Sequence, residues 1–583
     1  MRATRAVNGL GRSRRTSALA VALLVLASLG LVGLSCAKKP VASEPRTPRD
    51  VQVPPYLKDT VGELARFSGR EEIPVQGLGF VTGLDGTGNK VIPPGIRQQV
   101  LDMMRRNKVE SAEEILASPD NAVVLVTGVL PPGIAKGELF DMDVRAISTT
   151  DTTSLEGGFL LEGELTRIVS ERGVEAKGEI LALGRGAVFV SPFTADEKAK
   201  AGADPRIGRV LAGGKAVKAR QFRLALLTPS VRTADQIVRL VNARFPGAAK
   251  GTQDPGAIIL DVPKEYVNNK ARFLDLVGAT YLRETPDARD QRVNLLLKSL
   301  QSGQDMDRVA LCLEAFGGTV TPQLHALANH PKPEVRYFIG RTLAGLQDAQ
   351  AVHCLEPIAL DDRSEYQELA VQALGELRNG LGLGVLGRAL EAKSVRVRVA
   401  AWQHTARLAP RTFTVRTFPD KFTLSVIATK ADPFIYVART MKPELAIFGD
   451  LTVRPPVLAE TRRLTATAQA GGKEITVFTR RRDTDLRVEA PLDVRGLIEK
   501  VASPFGLDEQ HPDPQGLDAS YSDVVGLLSE MARKQALSGP IVLQPLQYRI
   551  PGGRPTARPI GEPEETINLQ PEEKPAAEPK PKP

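Results

Sequence analysis

The chain has 583 residues, enough for about three to four domains, and its 42% apolar content supports buried cores and excludes a chain that is disordered throughout. The formal net charge is +9, but the first 35 residues hold five arginines and no acids. Without them 72 basic groups face 68 acidic ones, a net of +4 that gives no argument for a nucleic-acid partner.

Residues 1–35 read as a signal peptide. A basic stretch (Arg2, Arg5, Arg12, Arg14, Arg15) precedes the apolar run 18–34, which is marginal in length for a membrane-spanning helix. Cys36 follows at once and resembles the acylated cysteine of a bacterial lipoprotein, although Gly33 stands where that motif usually has Leu. Cys36 is the expected lipid-attachment residue. Residues 36–70, with several prolines, are expected to be the tether between membrane and fold.

The stretch VQGLGFVTGLDGTGNK (75–90) invites a nucleotide-binding reading, which fails on spacing. A dinucleotide fingerprint needs G-x-G-x-x-G, and here Gly77 and Gly79 are followed by Gly83, one residue late. A phosphate loop needs Lys and a hydroxyl after its last glycine, and here Asn89, Lys90 and Val91 follow Gly88. The remaining reading is a strand and a turn at Asp85-Gly86, with glycines serving positive φ or close backbone approach.

Residues 71–193 are expected to be β-rich. A helix at about 95–107 carries Ile96, Val100, Leu101 and Met104 on one face. Strands are expected at 122–129, 139–147, 158–165 and 179–190. The second alternates apolar positions with Asp141, Asp143 and Arg145. The paired acids suit metal binding or acid–base work on paper, but a solvated strand face is the better reading. Residues 205–284 turn to strand, helix, strand, helix: a strand at 221–227, a helix opened by a Thr233-x-x-Gln236 capping box, a strand at 257–262 and a helix at 264–277.

Residues 285–410 are expected to form an inserted α-solenoid of HEAT-like repeats. Val335-Arg336-Tyr337-Phe338-Ile339 aligns with Tyr366-Gln367-Glu368-Leu369-Ala370 and again with Val397-Arg398-Val399-Ala400-Ala401, each time 31 residues on. Such repeats serve either as a partner-binding surface or as a rigid spacer. Cys312 and Cys354 lie here. They either pair as a disulfide or remain free buried thiols. Residues 411–548 return to α+β, with strands near 412–417, 422–427, 444–453 and 475–480 and a helix at 522–534. Residues 549–583, ending EEKPAAEPKPKP, read as a disordered tail. The fold class expected for the whole is α+β.

No nucleophile elbow or zinc-protease motif occurs. The five histidines (His325, His330, His353, His404, His511) lack metal-ligand spacing. Arg480-Arg481-Arg482 suits an anionic polymer or a neighbouring subunit, but its default is a solvated loop. No catalytic residue, cofactor site or metal site is expected, and no nucleic-acid partner.

Several blocks in order resemble one family. GLGFVTGLDGTGNK, NAVVLVTGVLPPGIAKGELFDMDVRAI, TSLEGGFLL, GEILALGRGAVFVSPF, GRVLAGGKAV and TADQIVRLVNARF are similar to the flagellar basal-body P-ring proteins over about 71–284. GDLTVRPPVLA and YSDVVGLLSEMARKQALSGPIVL resemble that family more loosely over 441–548. The resemblance implies a non-catalytic structural subunit in the periplasm. It implies a homo-oligomeric ring around the flagellar rod at the peptidoglycan layer, next to the L ring. Heterologous contacts that close by rotation would build such a ring. Cys36, the helical segment and the proline-rich tail depart from the family pattern. They imply a ring component adapted to its envelope, with a possible outer-membrane lipid anchor. The alternative is a lipid-anchored periplasmic scaffold that holds a partner on its helical repeats.

Overall fold

The structure is a computed structural model that describes residues 54–106, 110–167, 178–193, 204–282, 285–479, 486–506 and 515–545. Cys36, the signal segment, the Arg480-Arg481-Arg482 run, His511 and the tail 549–583 lie outside the described residues. The described chain is α+β.

A short helix, α1 (Val61–Leu64), leads into β1 (Ala65–Ser68). Both fall in the stretch read as tether, so that stretch enters the fold by residue 60. Next comes β2 (Ile73–Thr82), then α2 (Pro94–Arg106) and α3 (Ala112–Ala117) where one helix was expected. Five strands follow: β3 (Ala122–Leu130), β4 (Leu139–Ala146), β5 (Phe159–Arg167), β6 (Ile180–Ala187) and β7 (Ile207–Ala216). Together with β2 they close an antiparallel barrel in the order β2-β3-β4-β7-β6-β5. Alternation places Phe140, Met142 and Val144 of β4 inside with Val75, Val124, Val126 and Leu160. The outer surface over Phe80 and Val123 is covered by Val100, Leu101 and Met104 of α2 and Leu116 of α3.

The chain then runs through β8 (Phe222–Leu226), α4 (Val231–Arg244), β9 (Ala249–Gly251), β10 (Ala257–Leu260) and α5 (Lys270–Gly278). The sheet order is β1-β8-β10-β9, so the barrel is inserted between β1 and the rest of its own sheet. Thr60 bridges Tyr281, which closes the unit where it began. The capping box expected at Thr233 is not the start of α4. Ser230 is the N-cap, accepting the Thr233 N–H, and Gln236 donates to the Leu282 carbonyl at 2.5 Å. Ser230, preceded by Pro229, thus opens the helix about one turn earlier than the Thr signal suggested. The predicted helix at 264–277 splits into a 3₁₀ turn (Lys264–Asn269) and α5.

Eight helices follow: α6 (Pro286–Ser302), α7 (Met306–Ala315), α8 (Thr321–Ala326), α9 (Pro333–Gly345), α10 (Gln350–Ala359), α11 (Gln367–Gly375), α12 (Leu383–Ala389) and α13 (Val395–Leu408). The 31-residue sequence register reappears as bonding. Tyr366 donates to Glu334, the Arg378 N–H to Gln347, the Lys393 N–H to Asp362 and Arg407 to the Gly375 carbonyl, each pair 31 or 32 residues apart. One apolar core runs through all of these helices. Cys312 on α7 and Cys354 on α10 are both buried and both free, so the pairing considered from sequence is not formed.

The last third holds β11 (Thr414–Phe418), β12 (Phe422–Ile427), β13 (Phe434–Val437), β14 (Glu444–Phe448), β15 (Val457–Glu460), β16 (Leu464–Ala468), β17 (Glu474–Thr479), β18 (Arg487–Pro491), α14 (Val494–Ala502), α15 (Tyr521–Arg533) and β19 (Ile541–Leu543). One sheet runs β11-β12-β14-β13-β19 and the other β15-β16-β17-β18. Apart from its exposed edge strand β11, the first sheet is buried on both faces. Phe434, Tyr436 and Phe448 meet Trp402 and Arg398 of α13, while Leu424, Ile435, Val437 and Ile447 face the second sheet with α14 and α15.

Candidate functional surfaces

The glycine-rich stretch is a wall-and-turn element filled by the protein's own groups. A Cβ on Gly77 would lie 2.2 Å from the Glu164 carbonyl oxygen, and one on Gly88 would lie 2.0 Å from that of Asn121. Gly83, Asp85 and Gly86 have φ of 78°, 46° and 83°, as the tight turn requires. Asn89, fully buried, accepts the Val123 N–H at 2.6 Å. The N–H groups of Lys90 and Val91 bind the Asp151 carboxylate at 2.9 and 3.1 Å. Desolvation is the largest single influence and opposes the charge, but the N–H groups of Val91, Lys90 and Asp151 and the Lys90 ammonium together outweigh it and hold the Asp151 carboxyl below its ordinary range. The anion that this loop cradles is therefore an internal side chain.

The same turn receives the last third of the chain. Arg463, between β15 and β16, lies against Gly157 and reaches Asp85 at 3.5 Å and Asp523 of α15 at 3.8 Å. Glu156 beside it is pushed above its ordinary range, first by burial and then by the Asp523 carboxylate. Phe189 meets the Tyr521 ring at 5.2 Å. Asp141 takes the N–H groups of Ala212 and Met441. Asp143 pairs with Arg209 at 2.8 Å on the exposed barrel wall. Of the two acids read as one solvated face, only Asp143 is solvated; Asp141 is a docking group.

On the barrel's outer wall the register aligns Leu78, Leu125, Arg145 and Ile207 across β2, β3, β4 and β7. Leu125 and Ile207 are exposed, and Val129, Leu139 and Leu161 add to the apolar outer surface. Arg145 separates Leu125 from Ile207 in this row and the Asp143–Arg209 pair lies beside it, so the exposed apolar side chains alternate with charge.

A second surface is built by the helical segment. At its joint with the α4/α5 unit, Glu314 of α7 is 1% exposed and lies 2.5 Å from Arg272 and 3.7 Å from Arg244. Burial pushes its carboxyl up and the two guanidinium groups pull it back. Beyond this joint runs a groove of about 510 Å³ across α7, α9 and α11. Its floor carries Tyr337, Phe338 and Tyr366, with ring centroids 4.9–6.4 Å apart. Asp307, Glu334 and Glu376 stand at its rim. On another face, His325 and His353 line a cleft of about 660 Å³. Their partners are Asp348 at 3.0 Å and Asn329 at 2.7 Å. Among the described residues no group of His, Cys, Asp or Glu is placed to hold a metal ion. Sequence reasoning missed Arg463, Glu314 and the aromatic floor. Glu314 left one trace, a lone charge in the apolar run ALCLEAF.

No described helix is long and apolar enough to cross a membrane. The sequence matches the family model described as flagellar P-ring protein over residues 60–293. That match begins at Thr60, the residue that closes the first unit on Tyr281, and takes in the whole barrel. Among curated proteins, the flagellar P-ring protein of Geobacter metallireducens is 30% identical over 239 residues, covering 39% of this chain and 62% of that protein. That of a Bradyrhizobium strain is 28% identical over 350 residues, covering 56% and 86%. That of Thermotoga maritima is 29% identical over 242 residues, covering 39% and 68%. The chain thus spans about three fifths of the length of the Geobacter protein and more of the others.

Proposed function

We propose that this chain, whose residues 60–293 belong to the flagellar P-ring protein family, is a structural subunit of the flagellar basal-body P ring. The observation that carries the reading is the extent of that match. It covers a closed structural unit, with Thr60 bridged to Tyr281 and a complete six-stranded barrel between them.

A ring needs rigid subunits with unlike contact surfaces. Two features support that role. The barrel is clamped to the last third of the chain through Arg463, Asp141 and the Phe189–Tyr521 contact. The barrel's outer wall, where exposed Leu125 and Ile207 flank Arg145, offers a neighbouring subunit a mixed apolar and charged surface. Under this reading the chain works without catalysis, in the periplasm, around the rod and beside the L ring at the peptidoglycan layer. Cys36 carries a lipid that anchors it to the outer membrane, and the helical segment forms a platform on the ring.

Deleting the gene and examining basal bodies by electron microscopy tests the reading. Loss of the ring at the peptidoglycan level with loss of swimming is expected; intact rings and normal swimming would overturn it. The lipid is tested separately with Cys36→Ala, which is expected to abolish acyl labelling and release the protein from the membrane fraction.

A further inference from the structure

The groove across α7, α9 and α11 and the last residues of the chain have complementary chemistry. The floor is aromatic, and Tyr366 is only half-buried, so part of its ring face is open to a ligand. Around it the charges are sorted by depth. The side chains of Arg272 and Arg341 are 10% and 26% exposed, whereas that of Asp307, which pairs with Arg341 at 2.6 Å, is 79% exposed, and Glu334 and Glu376 also reach solvent. A ligand approaching from outside meets carboxylates first and aromatic carbon below them. Such a surface selects an extended segment whose apolar groups are rigid and whose charged groups are cationic.

The sequence supplies that segment itself. Residues 579–583 read Pro-Lys-Pro-Lys-Pro, with Lys574 a little upstream. Proline fixes φ near the polyproline II value, so little entropy is lost on docking, and proline rings pack on aromatic side chains. Lys580 and Lys582 supply ammonium groups, the charge that rim carboxylates attract. The described fold ends at Gln544 and Pro545 after β19. About 38 residues follow, up to ~120 Å of chain at the rise of that helix, and Val542 of β19 shares one core with α13, which packs on α11 at the edge of the groove. We propose that the groove is the docking site for the Pro-Lys-Pro-Lys-Pro segment of this chain.

The test uses the full-length chain with its own tail charge-reversed (Lys574→Glu, Lys580→Glu, Lys582→Glu), so that the groove is free. A fluorescent peptide of residues 579–583, which leaves out Glu572, Glu573 and Glu578, is titrated in and followed by anisotropy. Saturable binding is expected, weakened at least tenfold by Asp307→Asn with Glu334→Gln, and also weakened by raised salt. Those two surface changes leave the apolar core intact, which thermal unfolding checks. Tyr366→Ala provides a second variant that acts on the floor instead of the rim, again with a tenfold loss expected. The proposal is overturned if the peptide shows no saturable binding up to millimolar concentration. It is equally overturned if binding is unchanged in the groove variants, or if a peptide carrying Glu in place of its lysines binds as well.

Discussion

Asp141 on β4 accepts the backbone N–H of Met441 at 2.8 and 2.9 Å on its two carboxylate oxygens, joining residues 300 apart in the chain. The same carboxylate takes the Ala212 N–H at 2.8 Å. Met441 sits at φ 59°, a left-handed conformation that its side chain disfavours and that this bond helps to hold. Asp141→Ala leaves two backbone donors without their partner and is expected to cost about 1–3 kcal/mol. Asp143→Ala, two residues on, removes only an exposed pair with Arg209 and is expected to stay within about 1 kcal/mol. Chemical denaturation of the two variants side by side checks this.

The glycines of the opening stretch are required by sterics. Gly77→Ala would place its Cβ 2.2 Å from a backbone oxygen of β5, which has no rotamer with which to yield. We expect a loss of at least about 2 kcal/mol, read as a fall in the denaturation midpoint. Gly95→Ala at the start of α2 meets nothing within 4 Å and serves as the control, with stability unchanged or slightly raised.

These comparisons mark what could be seen in the sequence. The alternation in β4 was legible because one face is core and the other is wall. The 31-residue register was legible because stacked helices repeat their contacts. β13 was not, since Phe434–Val437 is buried on both faces and shows no period of two. β1 is four residues long in a proline-rich stretch, too short to carry a pattern. β7 was read with the unit that follows it, because Gly213 and Gly214 hide its strand character. A Cβ on Gly214 would run into the Phe140 ring, a contact that only the closed barrel creates. The docking of Arg463 on Gly157 depends on pairing across some 300 residues, and no local signal announces it.

The joint between the α4/α5 unit and the helices rests on Glu314. Replacing it by Gln takes the shared carboxylate from the largely buried Arg244 and Arg272, leaving Arg272 only Glu376 at 3.8 Å, which is expected to cost about 3–5 kcal/mol. A joint that opens before the rest of the fold would appear as a separate early transition in calorimetry. Arg388→Ala, whose partner Glu356 lies on the surface, is expected to change stability by less than about 1 kcal/mol.

His404 makes the helical segment sensitive to acid. Burial first, then the Arg407 guanidinium at 3.0 Å, pushes its imidazole down to about 4 from the ordinary 6.5. The unfolded chain therefore binds a proton between those values that the folded chain does not. The folded state is favoured by this group above pH 6.5, and that contribution is lost as pH falls towards 4. The effect is roughly 1–3 kcal/mol after allowing for its partial exposure. His404→Gln is expected to flatten this part of the stability profile between pH 7.5 and 4.5, as measured by urea denaturation across that range.

The central claim is that residues 60–293 build a ring subunit. Its most direct test is electron cryomicroscopy of basal bodies purified from cells carrying a C-terminally tagged chain at its native locus. The account predicts a closed ring around the rod whose repeating density accommodates the six-stranded barrel and the α4/α5 unit, with the tag on every subunit. Basal bodies that contain a complete ring at that level but none of the tagged chain would contradict it.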